Sequence, residues 1–331
     1  MKKNNNNGLA LWSLIKRNIK IYMKDWMTVF FSIMAPIIVL LLYILFLGKI
    51  QAESIANMED IKSFIGNGEG QISMKEIYAI INNWMISGVM ATSCITVAIN
   101  VNIIMIRDKQ SGAINDVLAS PVKKWVIYLG YIIATFIISF AICMVVLIFS
   151  LIYLACSGGF YMSWGDFFEV LAVTLISVLS SSFFFVFVCG FFKSVSTLVA
   201  VNGVITTCIG FLIGAYLPFN MMPKAMQYIA CFIPGAYSAG LFRDAFLRGC
   251  INMVQAKLPP DSTVINTLLS ENFTIDFDFF GIKISAGYMF LVICCFVVLT
   301  ALLLLIFYSS NKGSMFGKVK RKFSRAKVKN K

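Results

Sequence analysis

The sequence predicts an all-α polytopic membrane protein, and three observations carry that expectation. Of the 331 residues, 59% are hydrophobic and only 13% are charged, which leaves more apolar surface than a soluble fold can cover. The apolar residues fall in long uncharged runs, not in the alternating segments of about ten residues that a barrel strand shows. The 28 lysines and arginines outnumber the 15 acids, and they gather in the segments that six spans would place on one side.

Taken in order, residues 1–8 contain four consecutive asparagines and are expected to be disordered. No short apolar stretch with a small-residue cleavage site precedes the first span, so no cleavable signal is expected. From Leu9 to Lys24, apolar Leu11, Trp12, Leu14, Ile15, Ile19, Tyr22 and Met23 alternate in helical fashion with Lys16, Arg17, Lys20 and Lys24. This is the pattern of a basic amphipathic helix on a membrane surface, and Asp25-Trp26 marks the interface. The first span covers about 27–47, with Pro36 as a kink. Gly48 to Glu76 reads as a polar loop, and the second span, about 82–106, lies in the next uncharged run.

Arg107 to Ser120 is too polar to span and too short to be a domain. Val117 and Leu118 give it an apolar side, while Arg107, Asp108, Lys109 and Asp116 give it a wet one, as in a short surface helix. An inter-helix loop with some helical character is the plainer alternative. Ser120-Pro121 reads as an N-cap and first helical residue of the third span, about 121–157, which ends at Gly158-Gly159. Asp166 and Glu169 are expected in a loop before the fourth span, about 170–192. The fifth span covers about 195–217 and is closed by Pro218.

Residues 224–242 are short for a span and carry Pro234-Gly235 at their middle, so two short re-entrant segments are expected. Arg243 to Lys283, with Pro259-Pro260, then forms a polar external cap. The sixth span covers about 284–308, and 311–331 is a basic tail with nine lysines and arginines and no acid.

Charge sets the count. With six spans, the side holding both termini carries 20 basic residues and three acids, and the other side 8 basic and 12 acidic residues. A seventh span at 225–242 would move the tail across, against the positive-inside tendency. Both termini are therefore expected in the cytoplasm, with the basic tail and first helix attracting anionic lipid. Nucleic acid is not an expected partner, because the charge flanks spans and lacks a folded binding module.

Several chemistries are excluded. With no histidine, His-based metal sites and Ser-His-Asp catalysis are ruled out, and no metal site or catalytic residue is expected. The nine cysteines form no CxxC pair. Cys94, Cys143, Cys189, Cys208, Cys294 and Cys295 sit in apolar runs, and only Cys250 is expected to be exposed, so no disulfide framework follows. No G-x-x-x-x-G-K-[ST] loop occurs, so ATP phosphates have no cradle in this chain.

Apart from Lys123 and Lys124 at the mouth of the third, no expected span contains a charge, which disfavours a proton- or ion-coupled carrier and favours external power and an apolar or amphipathic substrate. No filter sequence or charged ring suggests a channel. Gly235 to Gly240 superficially matches a nucleophile turn but has no base. Thr92, Thr96 and Asn100 share one face of the second span. Asn202, Thr206, Gly210 and Gly214 do so in the fifth. Either face could line a substrate path or serve close helix packing.

Across about residues 9–310, this order and spacing resemble the membrane subunit of an ABC-2 type exporter. The Leu9–Lys24 helix resembles the family's elbow helix. Ser111 to Val122 resembles its coupling segment, with Ala113 for the usual threonine and Asn115 for the usual glutamate. Met222 to Leu241 resembles its re-entrant pair, with Gly235 for a larger apolar residue. The resemblance implies two permease subunits, in a homo- or heterodimer, and two ATPase subunits that hold the ATP and Mg. It assigns coupling to Lys16, Arg17, Lys20, Arg107, Asp108, Gly112, Asn115, Asp116, Leu118 and Pro121, and an external gate to Pro218, Pro234 and Tyr237. Export of an apolar or amphipathic substrate (drug, antibiotic peptide or lipid) across a bacterial plasma membrane is the implied role, with export of lipid-linked glycan, or a non-ABC channel or secondary carrier, as the alternative.

Overall fold

The computed structural model describes residues 7–56, 66, 71–216, 222–257, 277–279 and 282–309. Among them the helices are α1 (Asn7–Lys24), α2 (Trp26–Leu42), α3 (Gly48–Ala56), α4 (Met74–Val101), α5 (Ile103–Ser111), α6 (Ala113–Ala119), α7 (Lys124–Ser157), α8 (Trp164–Cys189), α9 (Val195–Leu212), α10 (Lys224–Ala230), α11 (Pro234–Lys257) and α12 (Ala286–Ser309). A short antiparallel ribbon, β1 (Phe277–Phe279) and β2 (Ile282–Ile284), pairs Phe277 with Ile284 just before α12. Six helical runs are long and apolar enough to cross a membrane: Trp26–Phe46, Met74–Ser111, Lys124–Ser157, Trp164–Cys189, Val195–Leu212 and Ala286–Phe307.

The fold is built around the run Met74–Ser111, which joins α4 to α5. Its most apolar window is 89% buried, against 17% for α9 and for α12. It is therefore the core strut, while α9 and α12 leave broad faces for lipid or for another subunit. At 38 residues it reaches about 57 Å, roughly twice a hydrocarbon core, so it projects beyond the bilayer. Trp84, Met85 and Met90 are wholly enclosed along it. Gly88 permits one close crossing: a Cβ there would sit 2.9 Å from both the Cα and the carbonyl oxygen of Ala215. A side chain at residue 88 would thus lift the chain that leaves α9.

Several boundaries differ from the sequence expectation, each for a local reason. The first span does not open into a loop at Gly48. Its helix passes through a π-helical turn, Tyr43–Leu47, into α3. Ser120 is not the N-cap of the third span. It closes α6 by donating its hydroxyl to the Val117 carbonyl at 2.5 Å, and α7 starts only at Lys124. The first-turn pattern of Ser-Pro is ambiguous because the same serine can finish the preceding helix.

Asp166 and Glu169 lie in the first turns of α8, not in a loop. Ser163 caps that helix by accepting from the Asp166 N–H at 3.2 Å, and its own N–H donates to the Asp166 carboxylate at 3.0 Å in return. The largest departure is Arg243 to Lys257. This stretch is the second half of α11, buried through Arg243, Phe246 and Cys250. Only the 224–230 half is short. Cys250, expected to be exposed, has no accessible surface.

Candidate functional site

The stretch from Arg107 to Pro121 is not one surface helix. Arg107 to Ser111 is the last turn of the long core strut, and Gly112 breaks it with φ +85. That left-handed conformation is strained for any residue with a Cβ, so glycine is needed at this bend. The separate helix α6 follows. Ile114 is buried, Val117 and Leu118 pack half-buried against the core, and Asn115, Asp116, Ala119 and Pro121 face outward. Its amphipathic character is as expected, but it holds only residues 113–119.

The four residues before the bend reach five other helices. Arg107 donates to Asp25, the N-cap of α2, at 2.6 Å, and this bond holds the Asp25 carboxyl below the usual carboxylate range. Asp108 is 8% exposed and accepts both arms of the Arg17 guanidinium of α1, at 2.7 and 2.8 Å. It also accepts the Tyr131 hydroxyl of α7 at 2.5 Å. The hydrogen bond to Asp108 raises the Arg17 pKa further.

Lys109 donates to the carbonyls of Cys189 and Gly190 at the end of α8, at 2.8 and 2.7 Å. Gln110 accepts from the Val195 N–H at the start of α9, at 2.9 Å. Two adjacent side chains thus satisfy opposite ends of successive helices, a cation at the carbonyl end and an acceptor at the amide end. One helical turn therefore ties α1, α2, α7, α8 and α9 to the core strut.

The far end of the strut is held differently. Arg243 of α11 is 1% exposed, and no acid pairs with it among the described residues. Its Nη2 donates to the carbonyls of Gly214 and Ile213, just past the end of α9, and its guanidinium lies 5.6 Å from the Trp84 ring centre. Its Nε and Nη1 have no partner. The Tyr43 hydroxyl donates to the Ala215 carbonyl at 2.6 Å, so the π-helical turn after α2 and α11 both grip the strap 213–215. One helical turn and a half along α11, Arg248 binds Asp166 at 2.9 Å, Glu169 at 2.7 Å and Asp244 at 2.5 Å, fixing α11 to the start of α8.

A family model described as ABC-2 type transporter matches residues 9–247, a stretch that begins with α1 and ends within α11. The chain belongs to the ABC-2 type transporter family. No curated protein matches it. The permease is thus the multi-pass membrane component of a transporter, and membership implies association with an ABC ATPase, which carries the ATP hydrolysis.

Within the permease the residues singled out from sequence divide into groups. Arg17, Arg107 and Asp108 are paired with other side chains of the protein, Arg107 while still exposed, whereas Lys16 and Lys20 are exposed on α1. Thr92 and Thr96 are buried and donate to backbone carbonyls of their own helix, Gly88 and Val89 for the first and Thr92 for the second. Asn100 and Asn202 do meet: the Asn202 amide donates to the Asn100 side-chain oxygen at 2.7 Å, and Thr206 donates to Asn202 at 3.3 Å. Pro234 opens α11, and the Tyr237 hydroxyl donates to the Cys231 carbonyl at 2.7 Å, closing the α10–α11 turn. Pro218 and the basic tail lie outside the described residues.

Sequence reasoning missed Arg243, Arg248, Lys109 and Gln110. The i,i+4 spacing of Asp244 and Arg248, together with Ala239, Gly240 and Ala245 beside them, is a helical signal that the charges masked.

Proposed function

We propose that the permease exports an apolar or amphipathic molecule, powered by ATP hydrolysed on separate ABC ATPase subunits. The observation that carries this is the joint at Arg107–Gln110, where one turn of the core strut grips five helices. A helix of seven residues hangs from that joint through Gly112, with Asn115, Asp116 and Pro121 exposed. A push on α6 from an ATPase would turn the strut end, and the ion pairs and caps would carry α1, α2, α7, α8 and α9 with it. Two packings of the spans then alternate around the substrate.

The face bearing α1 and α6 is taken as cytoplasmic, in keeping with the 20 basic residues that six spans collect there. Lys16, Lys20 and Lys24 then lie where anionic lipid or an acidic ATPase surface can meet them. The exposed faces of α2 and α9 suit a second permease subunit, with Asn100 and Asn202 close behind that seam. Arg243, Tyr43 and the 213–215 strap serve as the outer closure.

Purification from its own membranes in mild detergent tests the assignment. An ATPase subunit is expected in equal amount with the permease, and the reconstituted pair is expected to expel a lipophilic dye only with ATP. Permease recovered alone, or uphill movement by the permease alone, would refute it.

A further inference from the structure

Between α4, α8, α9, α12 and the α10–α11 turn lies a chamber of about 410 Å³. Phe184, Phe185, Ile209 and Leu212 make its walls, and no charged residue lines it. Its rim is open beside Val204 and Phe232, both exposed, and beside Cys208. It lies on a different face of α4 from Thr92, Thr96 and Asn100, using Ala91, Cys94 and Ile95 instead. The polar path expected from sequence and this chamber are therefore separate features.

Two observations point to an occupant. The Ser177 side chain lines the chamber, is 2% exposed, and its hydroxyl has no hydrogen-bond partner. The buried hydroxyls of Ser139 and Ser150 are also without a partner, but of the three only Ser177 lines the chamber, where its hydroxyl asks for an acceptor. Opposite it, α11 begins: Pro234, Gly235 and Ser238 line the chamber. The first N–H groups of a helix have no intrahelical acceptor, and that end is electropositive; here Pro234 has no N–H and the Ala236 N–H already donates to the Ile233 carbonyl at 3.0 Å, which leaves the Gly235 N–H as the donor. The Ser238 hydroxyl is already committed to the Pro234 carbonyl. Both free features are donors facing an apolar space.

We propose that the chamber binds a neutral lipophilic molecule through one acceptor oxygen, an ester or ketone carbonyl. The carbonyl takes the Ser177 hydroxyl and the amide end of α11, and the hydrocarbon portion fills the Phe-, Ile- and Leu-lined remainder. A fully charged group is disfavoured, since the lining offers no counter-ion and burying a lone charge is costly. The size is that of a compact ligand site. The open rim beside Val204 and Phe232 admits the molecule. This deepens the export reading by naming what the permease would take up and where.

Purified permease in lipid nanodiscs, without ATPase or ATP, tests it by photolabelling. The probes are diazirine-bearing methyl palmitate, palmitate and hexadecane, with labelled peptides read by mass spectrometry. Methyl palmitate is expected to label 177–185 and 204–212 saturably, and several-fold more than either control. Ser177→Ala is expected to lower ester labelling by about three- to tenfold, one hydrogen bond's worth, and leave hexadecane labelling unchanged. Ser181→Leu fills the chamber with an apolar side chain and is expected to abolish labelling there by every probe. Labelling near the exposed Phe30 and Phe31 of α2 reports that each variant is folded.

Even labelling of all lipid-facing helices, untouched by either variant, overturns the proposal. So does equal labelling by hexadecane and the ester. Because no ATPase is present, failure here counts against the chamber alone, whereas absence of a co-purifying ATPase counts against the transport reading.

Discussion

The two ends of the core strut are fastened on opposite principles. At the α1 end, each charge has a partner of opposite sign or a helix terminus: Arg107 with Asp25, Asp108 with Arg17, Lys109 with the end of α8. At the other end, a single guanidinium holds the 213–215 strap by its carbonyls, with two of its nitrogens unpartnered and no acid beside it. Paired, bidentate contacts resist separation and move as one body. A buried cation without a counter-ion carries an uncompensated desolvation penalty, which is relieved whenever the strap lifts and water reaches it. On the proposed mechanism, the first end would transmit motion and the second would release.

The comparison breaks most severely if the bidentate pair is removed. Arg17→Ala leaves Asp108 with only the Tyr131 hydroxyl, and a loss of about 2–3 kcal/mol is expected, somewhat below a fully buried pair because Arg17 is one-third exposed. Thermal unfolding of the purified permease reads this. Arg17→Lys should restore only part, since an ammonium cannot engage both carboxylate oxygens in a fork. Full stability in Arg17→Ala would mean the joint is ornamental.

Next in size is Gly88→Ala. Its methyl would meet backbone atoms of Ala215 at 2.9 Å, and overpacking of about 1–3 kcal/mol is expected. The strap should lift, so a cysteine placed at Ala215 should react with a water-soluble maleimide faster than in the parent. Unchanged reactivity would contradict the close crossing.

Arg243→Met sharpens the contrast because its sign is opposite. Replacing an uncompensated buried charge by a side chain of similar length is expected to leave stability within about 1 kcal/mol or raise it. ATP-driven transport should nonetheless slow, because the outer end no longer gains by opening. A large drop in melting temperature would show that Arg243 is a structural prop.

The smallest effect concerns Asp25. Its folded pKa is depressed, so its contribution is present above the ordinary carboxylate range and fades as pH falls through the folded value. The pair is partly exposed, so only about 0.5 kcal/mol is expected. As pH falls from neutral through and below the ordinary carboxylate range, the parent should lose this increment and Asp25→Asn should not. Identical pH profiles would remove the pair from the account.

Much of this was legible in the chain. The six runs follow from uncharged stretches, because lipid leaves helices no alternative but to satisfy their own backbones. The apolar side of α6 follows from Val117 and Leu118, but the bend at Gly112 did not show in the sequence, where 107–120 reads as one surface helix. What stayed hidden has one cause: a charge reads as wet when its partner is distant in sequence. Arg243 and Arg248 looked like a solvated cap, yet Arg243 sits against Trp84 and the 213–215 strap, and Arg248 against Asp166 and Glu169. Cys250 looked exposed for the same reason, and it accepts a hydrogen bond from Asn83 at 3.2 Å. The joint at 107–110 was legible only as polarity. Which helix each of its four side chains reaches is a property of packing.

The central claim is that the energy source presses on α6 and that the 107–110 joint distributes the motion. The most direct test places a photo-crosslinking amino acid at Asn115, with Ser163 at the start of α8 as the opposite-face control, in cells carrying the complete transporter. A crosslink from residue 115 to an ATPase subunit, and none from residue 163, is the predicted result. A crosslink from residue 163, or none from residue 115 while the ATPase still co-purifies, would contradict it.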